Sequence, residues 1–211
     1  MSDDLKHMDR RLLLLGGVSL FALAGCGGIL PTPSINQIYV LAPTAAPATP
    51  GPKAGWALAV ELPDANDTLD SSRIAIMRTA DTMDYFADAQ WPDRLPTLVA
   101  NALVQGFEAS GRIDQVGRSD NALHANYVLQ TDLRDFEARY DTPDGAPTIL
   151  VRIAARLVVQ RTRQVAASLV AEQSVPAGAN TIDAAVQAFD GALGAVVAQI
   201  VNWALNSAPP I

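Results

Sequence analysis

The sequence predicts an α+β fold: a mainly antiparallel β-sheet with two helices packed on one of its faces. Three patterns predict this class. Apolar and polar residues alternate through residues 127–136 and 148–175, as they do in strands with one buried face. Apolar residues recur at helical spacing in residues 95–107, and they do so again over the longer stretch 181–205.

The first half of the chain predicts three short strands, at residues 35–41, 56–62 and 73–79. Residues 43–55, between the first two, contain four prolines separated mainly by small residues. Proline lacks the N–H that helices and central strands need, so this segment does not pack as either. We interpret it as an exposed loop, with a rigid polyproline-like spacer as the alternative.

The first helix is predicted to follow Trp91. Asp93 is a suitable N-cap, Pro96 falls in the first turn, where proline is tolerated, and Gly111 provides a stop. The apolar residues within 95–107 share one face, which indicates a helix lying on a core.

The second half of the chain predicts three long strands. Alternation from residue 127 onward places apolar side chains on one face, but it would put Phe136 on the opposite face. A one-residue insertion near Arg134 and Asp135, a β-bulge, would return Phe136 to the buried side. Residues 148–160 and 164–175 are separated by a short polar turn, which predicts an antiparallel hairpin.

The terminal segment, residues 181–205, predicts a long amphipathic helix. Its apolar residues step by four and three, which forms one stripe along a helix. We expect this stripe to lie on the sheet of the same chain, and a coiled coil with a partner helix is the alternative. The stripe consists of Ile182, Val186, Phe189, Leu193, Val196, Ile200 and Trp203.

The N-terminus has the parts of a secretory signal. Residues 12–24 form an apolar run of 13 residues, which is shorter than the roughly 20 residues that span a bilayer. Basic residues precede the run and small residues follow it, so we predict that residues 1–25 are a removed signal peptide. The pair Arg10-Arg11 also resembles, weakly, a twin-arginine export signal, so the export route stays open.

The only cysteine follows this leader. Leu23, Ala24, Gly25 and Cys26 resemble the lipobox of bacterial lipoproteins, in which the cysteine is acylated and cleavage falls just before it. We therefore predict cleavage between Gly25 and Cys26 and lipidation of Cys26. The alternative is a cysteine buried in a core helix, but free cysteines in that setting rarely follow such a leader.

The mature chain is predicted to hold one domain. Residues 26–36 are rich in glycine and proline, and such a tether reaches roughly 30 Å when extended. Residues 37–207 then form a single α+β domain that carries the proline-rich loop at 43–55. The removed leader contains three cations and three carboxylates, so the mature net charge stays at -7. This charge argues against nucleic acid and against electrostatic docking on anionic lipids.

Catalytic signatures are absent from the sequence. His124 is the only histidine after the leader, and no Gly-x-Ser-x-Gly turn, phosphate loop or zinc ligand set accompanies it. The carboxylate pairs Asp132/Asp135 and Asp141/Asp144 are interpreted as solvated charges, because nothing in the sequence nearby would raise a pKa. We predict no enzyme activity, no cofactor and no metal.

Several motifs occur together in one order. The lipobox is followed by the strand at 38–43, then by residues 73–75, by the segment 85–91 with its Tyr-Phe pair and Trp91, and by residues 103–112. Residues 127–129 and the terminal helix complete the series. Together these motifs resemble the ABC-type transport auxiliary lipoproteins, the PqiC-like family, over nearly the whole mature chain. The proline-rich segment 43–55 departs from the compact pattern of that family.

The resemblance implies a non-catalytic periplasmic partner of an MCE-type transport system. In such systems an inner-membrane permease and ATPase work with an MCE-domain protein that carries lipids or other hydrophobic molecules. Gly27 and Gly28 follow the acylated cysteine in place of an aspartate, which favours the outer membrane. The alternatives are an outer-membrane assembly lipoprotein and, less favoured, a lipid-anchored hydrolase. Cargo and self-association into a homo-oligomer stay open.

Three aromatic residues are candidates for partner binding. Tyr85, Phe86 and Trp91 lie in a stretch interpreted as loop-rich, where not all three are able to alternate into a core. Interfaces favour aromatic anchors, because one ring buries a large area at low entropic cost. The alternative is a hydrophobic lid over the start of the first helix.

The lipidation site gives the first testable prediction. A Cys26→Ser variant should no longer fractionate with membranes, because the acyl chains supply about 0.8 kcal/mol for each buried methylene. Fractionation after salt and carbonate washes, with detection of the chain by immunoblotting, measures this. A variant that stays with the washed membranes would contradict the lipoprotein assignment.

Overall fold

The computed structural model describes residues 36–44, 49–79, 82–119, 124–142 and 144–208. There the chain forms one mixed sheet of nine strands and two helices, which confirms the α+β class. The strands are β1 (Gln37–Ile38), β2 (Leu58–Val60), β3 (Asp64–Ala65), β4 (Arg73–Thr79), β5 (Thr82–Gln90), β6 (Val116–Arg118), β7 (Tyr127–Arg139), β8 (Thr148–Val159) and β9 (Val165–Pro176), and the helices are α1 (Leu95–Ala109) and α2 (Ile182–Ser207).

The three longest strands, β7, β8 and β9, form the antiparallel meander that alternation predicts. The bulge predicted near Arg134 is confirmed, because Leu133 pairs with Ile153 and Asp135 pairs with Arg152, which leaves Arg134 as the extra residue. Phe136 consequently returns to the side of the helices and is only 1% exposed.

The second edge of β7 pairs with three short strands in succession. β2, β3 and β4 lie along it in parallel, each over only two or three residue pairs. β5 then pairs with β4 in antiparallel orientation, while β1 and β6 add short parallel ladders to β5 and β2. The sheet is therefore antiparallel in its long ladders and parallel in its short ones, and β1, β6 and β9 are edge strands that each pair with one neighbour.

Helix α1 begins one step later than predicted. Its N-cap is Arg94, which makes no side-chain capping bond. The side chain of Asp93 accepts a hydrogen bond from the backbone N–H of Arg94 at 2.6 Å. Asp93 as N-cap is therefore wrong. Pro96 does lie in the first turn, and Gly111 has φ +63°, the left-handed conformation that lets glycine follow a helix end.

Helix α2 covers β8 and β9 with its apolar stripe. Thr181 caps its N-terminus by accepting the N–H of Ala184 at 3.3 Å. In the described residues α2 is the one helix whose length and composition would allow it to cross a membrane, and 61% of its most apolar window is buried inside the protein. It is therefore a core helix, lying on the sheet of its own chain as predicted.

Three aromatic rings join the sheet to the helices. Phe136 of β7 stacks on Phe189 of α2 with ring centroids 4.9 Å apart. Trp91, between β5 and α1, meets Phe189 edge to face at 5.5 Å and Phe136 at 6.3 Å. Each of the three residues is at most 1% exposed, so this aromatic cluster is the centre of the core.

The cluster predicts a large loss of stability on truncation. Phe189→Ala should cost about 3–5 kcal/mol and lower the melting midpoint by roughly 10 °C, because it leaves a cavity between Trp91 and Phe136. Calorimetry or circular dichroism measures the midpoint. Gln187→Ala, at an exposed position of the same helix, is the matched control, and equal midpoints for the two variants would contradict the core position of Phe189.

Candidate functional site

The predicted lipidation site lies outside the described residues. Leu23, Ala24, Gly25 and Cys26 precede the first described residue, Asn36, so signal cleavage and acylation stay predictions. The described chain begins beside β1, at one side of the sheet.

Trp91, one of the three predicted partner-binding residues, is buried in the structure. It is 1% exposed and packs within the aromatic cluster, so no partner reaches its ring while the core is intact. Its backbone N–H donates to the carbonyl oxygen of Ser72 at 2.7 Å, which ties the end of β5 to the start of β4. Trp91 is a structural residue.

Tyr85 and Phe86 lie in strand β5, where the sequence indicated a loop. Both side chains are partly buried at the side of the main core. The guanidinium of Arg73 lies 3.4 Å from the centre of the Tyr85 ring, and the Tyr85 hydroxyl donates to the carbonyl oxygen of Thr68 at 3.2 Å. Tyr85 is therefore held on both sides, whereas no such polar contact fixes Phe86.

A large bulge follows these two residues. Ala75 of β4 pairs with Tyr85 and Arg73 pairs with Gln90, so five steps along β5 match two steps along β4. Asp88, inside this bulge, has φ 55°, in the left-handed region. The bulge explains why alternation fails here, and it shapes the strand against which β1 pairs.

β1 adds exposed apolar side chains next to β5. Ile38 and Val40 are 61% and 64% exposed, while the alternate residues Tyr39 and Leu41 pack against the core. Ile38 and Val40 form a small exposed apolar patch beside β5, which makes it a candidate contact surface. We call Ile38 in β1, Val40 just after it, and Tyr85 and Phe86 in β5 the β1–β5 surface.

The described parts of the proline-rich segment lie along α2. The N–H of Ala42 donates to Oδ1 of Asp190 at 2.8 Å, and the N–H of Thr49 donates to Oδ1 of Asn202 at 2.9 Å. A Cβ on Gly194 would lie 2.6 Å from the carbonyl oxygen of Thr44, so glycine is required where the chain crosses the helix. We call residues 42–44 and 49–54 the strap.

Arg112 fastens the end of the strap. It is 6% exposed, and its guanidinium donates to the carbonyl oxygens of Thr49 and Pro52 and to Oδ1 of Asn206, at 3.2–3.3 Å. These acceptors are all uncharged. Arg112 follows the C-terminus of α1 and contacts the last turn of α2, and the negative ends of both helix dipoles stabilise a cation there.

An ion-pair network lies on the face of the sheet opposite the helices. Asp135 pairs with Arg139 at 3.0 Å and also with Arg152, and its side chain is only 13% exposed. The interpretation of Asp135 as a solvated charge is therefore wrong. Glu137 is 1% exposed, and its burial raises its pKa while Arg139 and the N–H of Phe136 act in the opposite direction. Its partners hold this carboxylate in place, so the network is structural.

The described residues contain no group of three or more His, Cys, Asp or Glu side chains placed to hold a metal ion. His124 is exposed in the loop before β7. The charged groups with displaced pKa values make structural contacts: Arg94 pairs with Asp70, Arg152 pairs with Asp135, and Asp190 accepts from Ala42. The fold and these surfaces define a class: an α+β sheet domain whose distinctive surfaces are apolar strand edges.

Comparison with known proteins gives the family. The chain belongs to the family described as the ABC-type transport auxiliary lipoprotein component, whose model matches residues 39–201. The resemblance seen in the sequence motifs is thereby confirmed. The match begins just after β1 and ends within α2, so it covers the strap and strands β2 to β9.

Two solved structures and one curated protein resemble the chain. A crystal structure of a Xanthomonas campestris protein of the DUF330 family model has a TM-score of 0.76 and 27% identity, and it covers 81% of this chain and 95% of that protein. A second, uncharacterised protein has a TM-score of 0.60 at 16% identity, with 75% and 97% covered, and shows the fold alone. An uncharacterised Bradyrhizobium diazoefficiens protein is 30% identical over 69% of this chain but only 38% of its own length.

The contact between Asp190 and the strap gives a pH-dependent prediction. Burial raises the Asp190 pKa above its ordinary value of 3.8, although the Ala42 N–H acts in the opposite direction. A raised pKa means that ionisation costs stability, so stability falls as pH rises from 3.8 through the folded pKa. Asp190→Asn keeps the Oδ1 acceptor without the charge, and it should be more stable than the parent at neutral pH.

The matched control for this prediction is Asp183→Asn in the same helix. Asp183 lies exposed in the first turn of α2, where its charge favours the helix dipole, so this change should lower stability by about 0.3–1 kcal/mol. Denaturant unfolding at acidic and neutral pH measures both differences. An Asp190→Asn gain that is equally large below pH 3.8 would contradict the assigned cause.

Proposed function

We propose that the protein is a non-catalytic, membrane-anchored lipoprotein of an ABC/MCE-type transport system, and that it docks the MCE-domain carrier of that system. The observation that carries this proposal is membership of the ABC-type transport auxiliary lipoprotein family over residues 39–201. The permease and ATPase supply the energy in the inner membrane, and the carrier moves lipids or other hydrophobic molecules across the periplasm. The role left to this chain is to hold or receive the carrier.

The predicted lipid anchor supports this role. Three acyl chains on Cys26 would hold the body at a membrane surface, since one chain alone gives only marginal binding. The tether of residues 26–36 would let the body stand off the bilayer and meet the carrier. Gly27 and Gly28, after the acylated cysteine, favour the outer membrane, so the carrier would be met at the far end of its path.

The β1–β5 surface is our candidate for the docking site. Ile38 and Val40 are exposed and Phe86 is partly buried, so a partner that covers them removes apolar area from water without unfolding the core. Tyr85 contributes at the margin, because its ring and hydroxyl are already engaged by Arg73 and Thr68. The surface is also the part of the described body where the chain enters from the tether.

Binding of an MCE-domain protein tests the proposal. The full-length lipoprotein and the MCE-domain protein of the same organism should copurify from detergent-solubilised membranes. Combined Ile38→Ser, Val40→Ser and Phe86→Ser changes should weaken this association by about tenfold or more, because interfaces depend on a few apolar anchors. Affinity is measured by surface plasmon resonance and folding by the melting midpoint.

Val165→Ser is the matched control, since Val165 is 55% exposed on the opposite side of the sheet. It should leave the association unchanged. A parent protein that does not associate with the MCE-domain protein would overturn the proposed function. Full association of the triple variant would leave the function standing but would refute the docking site.

A further inference from the structure

Strand β9 leaves a long edge of the sheet without a strand partner. Among the described strands it pairs only with β8, over nearly all of its 12 residues. One carbonyl oxygen of this strand, that of Glu172, accepts a bond from Nε2 of Gln199 at 3.3 Å. Unpaired N–H and C=O groups along such an edge are a template for another extended chain.

Most protections of natural strand edges are missing from β9. It contains no lysine or arginine, its one proline is its last residue, and its one charge, Glu172, lies 3.7 Å from Arg152. The one irregularity in its pairing with β8 falls near the turn, between Leu157 and Val158. Val170, midway along the strand, is 50% exposed. An edge of this kind is usually occupied in the working state of a protein.

A groove with two arginines lies beside this edge, on the sheet face opposite the helices. It has a volume of about 360 Å³ and is lined by Arg134, Arg156 and their neighbours on β8 and β9. Arg134 is the extra residue of the β7 bulge and is 50% exposed, 3.5 Å from Asp132. Arg156 pairs across the ladder with the small Ser168, so no large side chain separates it from the edge.

The side chain of Arg156 is exposed, and it forms no hydrogen bond or ion pair with another described residue. The chain as a whole has a net charge of -7, whereas Arg156 gives this groove a positive charge and Arg134 adds a guanidinium that it shares with Asp132. Such a groove favours a carboxylate-bearing ligand over a cationic one.

We propose that the β9 edge and the arginine groove together bind an extended acidic segment of a partner protein. The segment adds a strand to β9 through backbone hydrogen bonds. Its alternate side chains then fall on the groove face, where carboxylates meet Arg134 and Arg156 and an apolar side chain covers Val170.

Two other occupants fit the site less well. A second copy of this chain would bring only Glu172 to the groove, a carboxylate that Arg152 already holds, and it would bring two bodies of net charge -7 together. A lipid headgroup would find the two arginines but no enclosed apolar cavity for its chains, because the groove is open to solvent. The unpaired backbone edge of β9 suits an extended peptide better than it suits either of these occupants.

This inference does not rest on the proposed function. It concerns the side of the sheet opposite the β1–β5 surface, and it holds whether or not the partner is an MCE-domain protein. Loss of peptide binding would therefore leave the MCE test unaffected, and the reverse also holds.

The test uses the full chain in detergent and a fluorescent peptide of about ten residues that alternates glutamate with valine, the length of a long strand. Fluorescence anisotropy should show saturable binding that weakens with salt. Arg134→Gln combined with Arg156→Gln should weaken it by about tenfold, since each exposed ion pair contributes up to about 1 kcal/mol. Arg161→Gln, in the turn between β8 and β9, is the control and should leave binding unchanged.

Four further measurements make the test decisive. A peptide with lysine in place of glutamate should not bind, and a peptide with N-methylated amides should not bind because it cannot pair with the edge. Equal binding of either probe would overturn the proposal. The absence of binding by the glutamate–valine peptide would also overturn it. Arginine-dependent binding to phosphatidylglycerol vesicles would then identify a lipid headgroup as the occupant, and a concentration-dependent dimer that Val170→Lys abolishes would identify a second copy of the chain.

Discussion

The stacking of Phe136 on Phe189 is the interaction on which the rest of the structure depends. It requires the bulge at Arg134, because without the extra residue Phe136 would point to the open face of the sheet. With the bulge, Phe136 reaches both α2 and Trp91, so one contact joins the central strand, the terminal helix and the chain between β5 and α1. The same extra residue places Arg134 beside the groove on the opposite face, so one insertion serves both the core and a surface.

The sequence carried enough information for the long elements and for strands β2 and β4, but too little for β3, for β6 and for the pairing of the short ladders. Alternation and helical spacing persist over many residues in β7, β8, β9 and α2, and a break in the alternation was sufficient to locate the bulge. The parallel ladders of β2, β3 and β4 contain two or three pairs each, which is too few for a periodic signal. Their position is set by the edge of β7, a long-range feature that local pattern does not encode.

The candidate site was predicted only in part, and the reasons are physical. Trp91 and Tyr85 carry the same local signal, an aromatic residue near other aromatic residues, but the register of β5 sends one to the core and leaves the other at its margin. The ion pairs of Asp135 were not predictable from local sequence. Arg139 lies four residues further along β7, and Arg152 lies opposite Asp135 on the neighbouring strand β8. The contacts of Arg112 with the strap join residues up to 94 positions apart, beyond any sequence pattern.

Two of the edge strands, β1 and β9, give the body two different sides. The strand order β1, β5, β4, β7, β8, β9 places β1 and β9 five strand spacings apart, roughly 24 Å. The chain enters the described body at β1, where exposed aliphatic side chains lie next to a strand bulge. At β9 the exposed feature is instead a regular backbone edge with arginines on the neighbouring strands. A body with an apolar contact surface at one edge and an unpaired strand at the other is able to bind two segments at once. Because the two surfaces share no residue, a substitution in one surface should leave binding at the other unchanged.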